Sequence, residues 1–260
     1  MSAMSTPLSR LRQLLRALTV PLVLLALLEA WARSVGAGSD TLAPPSAAAS
    51  ALLAALSGPD LWQATGFTLS AAGLGLALGA AGGMALGIPM GLLPGLARVG
   101  FLSVEVLRPV PSVALIPLAM LVFGFGLRME VSVVAFATFW PILVLAQAAA
   151  RQVEPQLLEV AAALELSPWA RLRQVILPAM VPRLFVALRL GVAIALVVAV
   201  TVEIAANPNG MGYAIMIAQQ SFDPPMMLAW LFWIGLVGYA INALALALQR
   251  RVARQMGEAA

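Results

Sequence analysis

Residues 68–93 read TLSAAGLGLALGAAGGMALGIPMGLL, and none of them is charged. A hydrocarbon core about 30 Å thick is crossed by roughly 20 helical residues rising 1.5 Å each, so this stretch is long enough to cross a bilayer. Within it Gly75, Gly79, Gly83, Gly87 and Gly91 recur at every fourth position, and Gly95 continues the register. Each four-residue step advances about 400° around a helix. The glycines therefore form one slowly winding groove, the pattern through which helix backbones approach closely in lipid. At this stage the partner is either another helix of the chain or a second copy of it. The stripe serves packing and not chemistry.

Further apolar runs lie at 17–32, 101–126, 131–150, 184–206 and 226–248, which predicts an all-α integral membrane protein with about six transmembrane helices. Composition agrees: 62% of the 260 residues are hydrophobic and 10% charged, against about 25% charged in soluble domains. The run at 101–126 contains Pro109, Pro111 and Pro117, which remove backbone donors. Its first part is expected to be irregular and to face protein, where the freed carbonyls can be satisfied. The first run has a rival reading as a signal peptide, because Arg10, Arg12 and Arg16 precede it and small residues follow at 36–38. We favour an uncleaved span. Glu29 stands four residues before Arg33, beside Trp31, in the order that favours an interfacial ion pair over a transport role.

All 15 basic residues are arginine, and there is no lysine, histidine or cysteine. A Walker A loop needs a lysine on the β/γ-phosphates, so this chain holds no nucleotide site of that kind. Imidazole bases, thiolates, zinc-finger ligands and common haem ligands are equally absent, and no catalytic or metal-binding residue is expected. An intramembrane enzyme would have to use Glu203 with Thr201, and no base accompanies them. With the N-terminus cytoplasmic, thirteen arginines fall on the inner side and only Arg33 and Arg128 on the outer. That bias predicts both termini inside. The expected organisation is a cytoplasmic segment at 1–16, a first transmembrane helix at 17–36, and an outer loop at 37–66 that carries Asp40, Asp60 and a short surface helix. A core at 67–250 with a cytoplasmic loop at 151–183 and a cytoplasmic tail at 251–260 complete it. The apolar stretch 211–222 is too short to span and is expected to be re-entrant or interfacial.

In the loop at 151–183, Pro155 suits the first turn of a helix that would bury Leu157, Leu158, Ala161 and Leu164. Ser167 and Pro168 read as N-cap and first residue of a second helix, which Pro178 would end or kink. Arg171 and Arg173 suit lipid phosphates as well as a protein contact. Glu203 is an intramembrane carboxylate, a functional candidate by default; capping the turn at Asn207 and Pro208 is its structural alternative.

The segment Glu159-Val160-Ala161, three residues, Glu165, nine residues, then Val175-Ile176-Leu177-Pro178 resembles the EAA signature of ABC-importer permeases. Glu159, Ala161, Leu177 and Pro178 match it, and Val175 replaces an isoleucine. Val160 and Glu165 depart from it. Glu165 stands where the signature has a glycine at the turn between two helices, and Ser167-Pro168 is expected to supply that break. Leu42-Ala43-Pro44-Pro45-Ser46, Leu107-Arg108-Pro109-Val110-Pro111, Ile116-Pro117-Leu118 and Asn209-Gly210-Met211-Gly212-Tyr213 look like the sulfonate, taurine and nitrate branch. The resemblance implies a MetI-like core in a bacterial inner membrane that forms the path for a small anion. It also implies a second permease protomer in a homodimer, a pair of cytoplasmic ATPases that carry the ATP and Mg, and a periplasmic solute-binding protein. No cofactor on this chain and no nucleic acid is implied. Glu159, Val160, Ala161, Leu164, Glu165, Leu166, Ser167, Leu177 and Pro178 would couple to the ATPase. Thr201, Glu203, Pro111 and Pro117 would belong to the gate or the path. A secondary transporter or channel working alone is the alternative.

Overall fold

A computed structural model describes residues 7–35 and 42–255. The sequence features at 1–6, 36–41 and 256–260, including the small residues of the rival cleavage site and Asp40, lie outside the described residues. Every described element is helical: α1 (Pro7–Val35), α2 (Pro45–Leu56), α3 (Pro59–Leu92), α4 (Pro94–Leu107), α5 (Ile116–Phe123), α6 (Leu127–Arg151), α7 (Pro155–Ala163), α8 (Pro168–Arg171), α9 (Leu177–Ala205), α10 (Gly210–Gln220) and α11 (Pro224–Gln255). Proline opens most of them, because its missing N–H is one of the donors a first turn leaves free and its φ is already helical.

Four helical stretches among the described residues are long and apolar enough to cross a membrane, Pro59–Leu92, Leu127–Arg151, Pro168–Ala205 and Pro224–Val252. A fifth arises if α4 and the pair Ser112–Phe123, bent by 82°, count as one broken span. The bend falls on the prolines at 109 and 111, as their lost donors require. Within this chain, however, that segment is largely uncovered: Phe101, Leu102, Val106, Leu118, Leu121 and Val122 are all exposed.

The described residues fall into two compact units, one drawn from 1–61 and 214–233, the other from 62–213 and 234–260. In the first, Glu29 joins α1 to the N-terminus of α2. Its carboxylate accepts from Arg33, from the Ser46 backbone N–H at 2.9 Å and from the Ser46 hydroxyl at 2.7 Å.

The second unit is built on α6 and α9, and α3 lies along α6. The glycine stripe meets this helix: a Cβ at Gly75 would run into Val134, at Gly79 into Thr138 and Ala135, at Gly83 into Phe139, at Gly87 into Leu143, and at Gly91 into Ala150 and Gln147. The partner is thus a helix of the same chain. Gly95 does not take part, since α3 ends at Leu92 and a Cβ at Gly95 would meet open space. One apolar cluster joins Ala72, Ile116, Met129, Val133, Ala199 and Val202 at one end of the α6–α9 pair, and a second joins Ala150, Val153, Ile176 and Met180 at the other.

Pro178 does not end its helix. α8, a wider π-helical turn at Leu172–Ile176 and α9 run on as one helix. A π turn is where a helix accommodates an unbonded carbonyl, and here it lies immediately ahead of the two residues Leu177 and Pro178.

Candidate functional site

Two regions of the second unit carry the functional candidates, one at each end of the α6–α9 pair. The first is the loop after α6. Pro155 opens α7 as expected, and Leu158 and Ala161 turn inward, with Ala161 wholly buried. Leu157 and Leu164 do not, contrary to the helical-spacing reading: they are exposed, Leu164 at 65%. A helix this short buries only the face towards the segment Leu172–Ile176, on which α7 packs. Val160, 56% exposed, and Trp169, 68% exposed, extend the uncovered apolar surface, and Glu159 is exposed beside them. Leu166 and Leu177 are half-buried and Pro178 is exposed.

The turn after α7 closes at Glu165. Its backbone is left-handed, φ 53°. The Glu165 N–H donates to the Ala162 carbonyl at 3.0 Å and the Leu166 N–H to the Ala161 carbonyl at 3.1 Å. These two bonds are a Schellman cap, in which the residue at Glu165's position is usually glycine. The break therefore comes from Glu165 itself. Ser167 does separate work: its Oγ accepts from the Ala170 N–H at 3.3 Å and caps α8. Between the end of α3, α4 and the last residue of α6, a cavity of about 460 Å³ is lined by Met90, Ala97, Phe101, Arg98 and Arg151.

The second region is polar and enclosed. Glu203 and Thr68 are buried, as are Glu130 and Asn207. The Thr68 hydroxyl donates to Glu203 Oε1 at 2.6 Å and accepts the Met211 N–H at 2.9 Å; the Gly212 N–H donates to Glu203 Oε2 at 2.8 Å. Side chains from α3 and α9 thus satisfy free N–H groups of the first turn of α10. Glu203 caps a helix, though not the turn at Asn207 and Pro208. Asn207 instead donates to Glu130 Oε2 at 2.6 Å. Gly210 has φ 91°, and a Cβ there would overlap the Glu203 carboxyl, so that position requires glycine.

Thr201 stays apart from this cluster, bonded to the Val197 carbonyl of its own helix at 2.7 Å. Pro111 precedes the turn Ser112–Leu115 and Pro117 stands in the first turn of α5, both exposed. Sequence reasoning did not select Thr68, Asn207 or Glu130. The signal for Glu130 was present, a carboxylate one residue before the apolar run at 131–150. Among the described residues no group of three or more acidic side chains could hold a metal.

Residues 82–258 match the family described as binding-protein-dependent transport system inner membrane component. The riboflavin transport system permease protein of Chloroflexus aurantiacus is 34% identical over 92% of this chain and 90% of its own length. The taurine transport system permease protein of Escherichia coli is 29% identical over 76% of this chain and 72% of its own. In three dimensions the chain resembles one from the inward facing MetNI methionine ABC transporter, with a TM-score of 0.62 at 20% identity over 77% of this chain and 96% of that one.

Proposed function

Because the chain belongs to the binding-protein-dependent transport system inner membrane components and is a permease subunit of an ABC transporter, we propose that it forms the translocation path for a small anion such as a sulfonate, taurine or nitrate. The alternative of a solitary channel or secondary transporter is not favoured. Two relatives named for different cargoes, riboflavin and taurine, are similar to it to a comparable degree, which supports a separate solute-binding protein as the main selector of substrate.

The observation that carries the coupling proposal is the uncovered apolar tip of the loop after α6. Leu157, Val160, Leu164 and Trp169 are all exposed, and Glu159 lies among them. Such a patch suits a groove on a cytoplasmic ATPase, with ATP and Mg held there and none on this chain. Leu166, Ser167, Leu177 and Pro178 would set the geometry of that tip from behind. Ala161 would act from inside as well, its methyl holding α7 to its own chain. A second permease protomer, making a homodimer, would cover the exposed faces of α4 and α5.

The arginine bias supports an inner membrane placement with both termini cytoplasmic. Arg98 and Arg151 line one cavity, which supports their lying on one side of the membrane. Thr201, Pro111 and Pro117 remain candidates for the path or gate. The test is reconstitution with the ATPase and the binding protein: solute-stimulated ATP hydrolysis and uptake are expected. Flux that is independent of ATP would overturn the reading, and mass spectrometry of the ligand carried by the binding protein would identify the solute.

A further inference from the structure

We propose that the cavity between the end of α3, the start of α4 and Arg151 of α6 is a binding site for one anionic phospholipid. Its headgroup phosphate sits between the Arg98 and Arg151 guanidinium groups, and its first acyl carbons lie along Met90, Ala97 and Phe101.

Close helix contacts set the walls. α3 and α6 touch at their ends, where a Cβ on Gly91 would run into Ala150 and the Gln147 carbonyl. α4 stays beside the end of α3, since a Cβ on Gly100 would meet the Met90 side chain. The space left between the three measures about 460 Å³, and small-molecule sites occupy roughly 300–1,000 Å³. Both arginines that line it are exposed within this chain, so it opens towards the surface and a lipid can enter.

Two helices fix its depth. Pro59–Leu92 and Leu127–Arg151 are each long and apolar enough to cross the membrane, and the cavity lies where both finish. From Leu61 to Val104 the only charged residue is Arg98, and from Val131 to Ala150 there is none. Each arginine is thus the first charge after a crossing, which places the two at the level of lipid phosphates.

Their charge is unused. Neither guanidinium has a partner among the described residues, whose ion pairs are Glu29 with Arg33 and Glu105 with Arg108. No acidic side chain lines the cavity, and Glu154, the next carboxylate after Arg151, is exposed. Arg183, by contrast, is occupied: it donates to the Gln152 carbonyl at 3.2 Å. A guanidinium is always charged and its fork of donors matches a phosphate.

The remaining lining, Met90, Pro94, Ala97 and Phe101, is apolar. A free inorganic anion would lose water against that wall and gain nothing from it, whereas a phospholipid brings an acyl chain to the wall and a phosphate to the arginines. Basic pockets between transmembrane helices on the cytoplasmic side take anionic headgroups in this way, and the arginine bias puts this one at the negatively charged leaflet. Arg151 ends α6 four residues before Pro155 opens α7, so a bound headgroup braces the root of that loop.

The experiment uses the full chain, stripped of lipid in detergent and offered equal amounts of phosphatidylglycerol and phosphatidylcholine with the same acyl chains, with retention read by native mass spectrometry. One phosphatidylglycerol should be retained in preference. Arg98→Gln and Arg151→Gln should each weaken its retention about fivefold and the double variant about 25-fold, while Arg254→Gln, the same charge change elsewhere, should not. Ala97→Leu, which narrows the cavity and keeps both arginines, should weaken it as well. Phosphatidylglycerol, and not phosphatidylcholine, should raise the thermal midpoint of the parent, a reading that needs no variant to fold. Equal retention of the two lipids, or unchanged retention in the double variant, would overturn the proposal. So would unchanged retention in Ala97→Leu, which would leave only a general attraction of headgroups to surface arginines, or displacement of the lipid by millimolar inorganic phosphate, which would make the site one for free anions. None of these readouts involves transport, so failure here leaves the permease assignment intact.

Discussion

Glu165 holds a left-handed backbone that costs an L-residue roughly 1–2 kcal/mol and glycine almost nothing. Glu165→Gly should therefore stabilise the protein by about 1 kcal/mol, after allowance for the freer unfolded chain, and raise the thermal midpoint. Glu165→Val should lower it. Gly210→Ala should be far worse than either, since its Cβ has neither the backbone angle nor the space; loss of purified protein or a midpoint drop of several degrees is the expected result. Position 165 was legible in the sequence as a departure from a signature, but the conformation it adopts was not, because nothing in a glutamate announces φ 53°. Glu203 was legible as a carboxylate in an apolar run. Its partners were not, since Thr68 is 135 positions away and only the packed helices bring them together.

Helix α3 was the most readable element, because a four-residue register states both where the helix lies and which face it buries. Gly87→Leu should press a side chain into the Leu143 backbone of α6, whereas Gly73→Leu should be tolerated, as a Cβ there meets nothing within 4 Å. Expression and elution as a folded species check the pair; equal behaviour would remove the seam. Helix α7 was read less well. Its nine residues are too few for periodicity to separate the face turned inward from the face left bare. The inward Ala161 and the outward Val160 and Leu164 now predict different failures. Ala161→Trp should damage folding of the permease itself, while Val160→Arg and Leu164→Arg should leave it folded and lose the co-purifying ATPase. Retention of the ATPase in both arginine variants would remove the docking role from this surface. Pro178 does not end its helix for a physical reason: a π turn ahead of it lets the helix continue.

At the scale of the whole chain, orientation can be tested directly because no native cysteine interferes. Cysteine at Ser57 or Ser221 should react with a membrane-impermeant thiol reagent in intact cells, and cysteine at Gln156 should react only after lysis. The reverse pattern would invert the topology. The all-helical membrane fold was legible from apolar runs alone. The count of about six was less so: four described stretches qualify, or five with the bent pair, since a proline-broken run reads in one dimension like a straight one. The continuous helix from Pro168 to Ala205 carries a mechanical consequence. Its 38 residues make a strut nearly twice as long as the bilayer core is thick, with the loop after α6 at one tip and Glu203 at the other. Torque applied at the loop would reach Glu203 with little loss, except at the π turn, the strut's compliant point. Deleting Arg173 would remove the residue that the wide turn takes up, make that joint regular helix, and so stiffen the strut while leaving its two tips in phase.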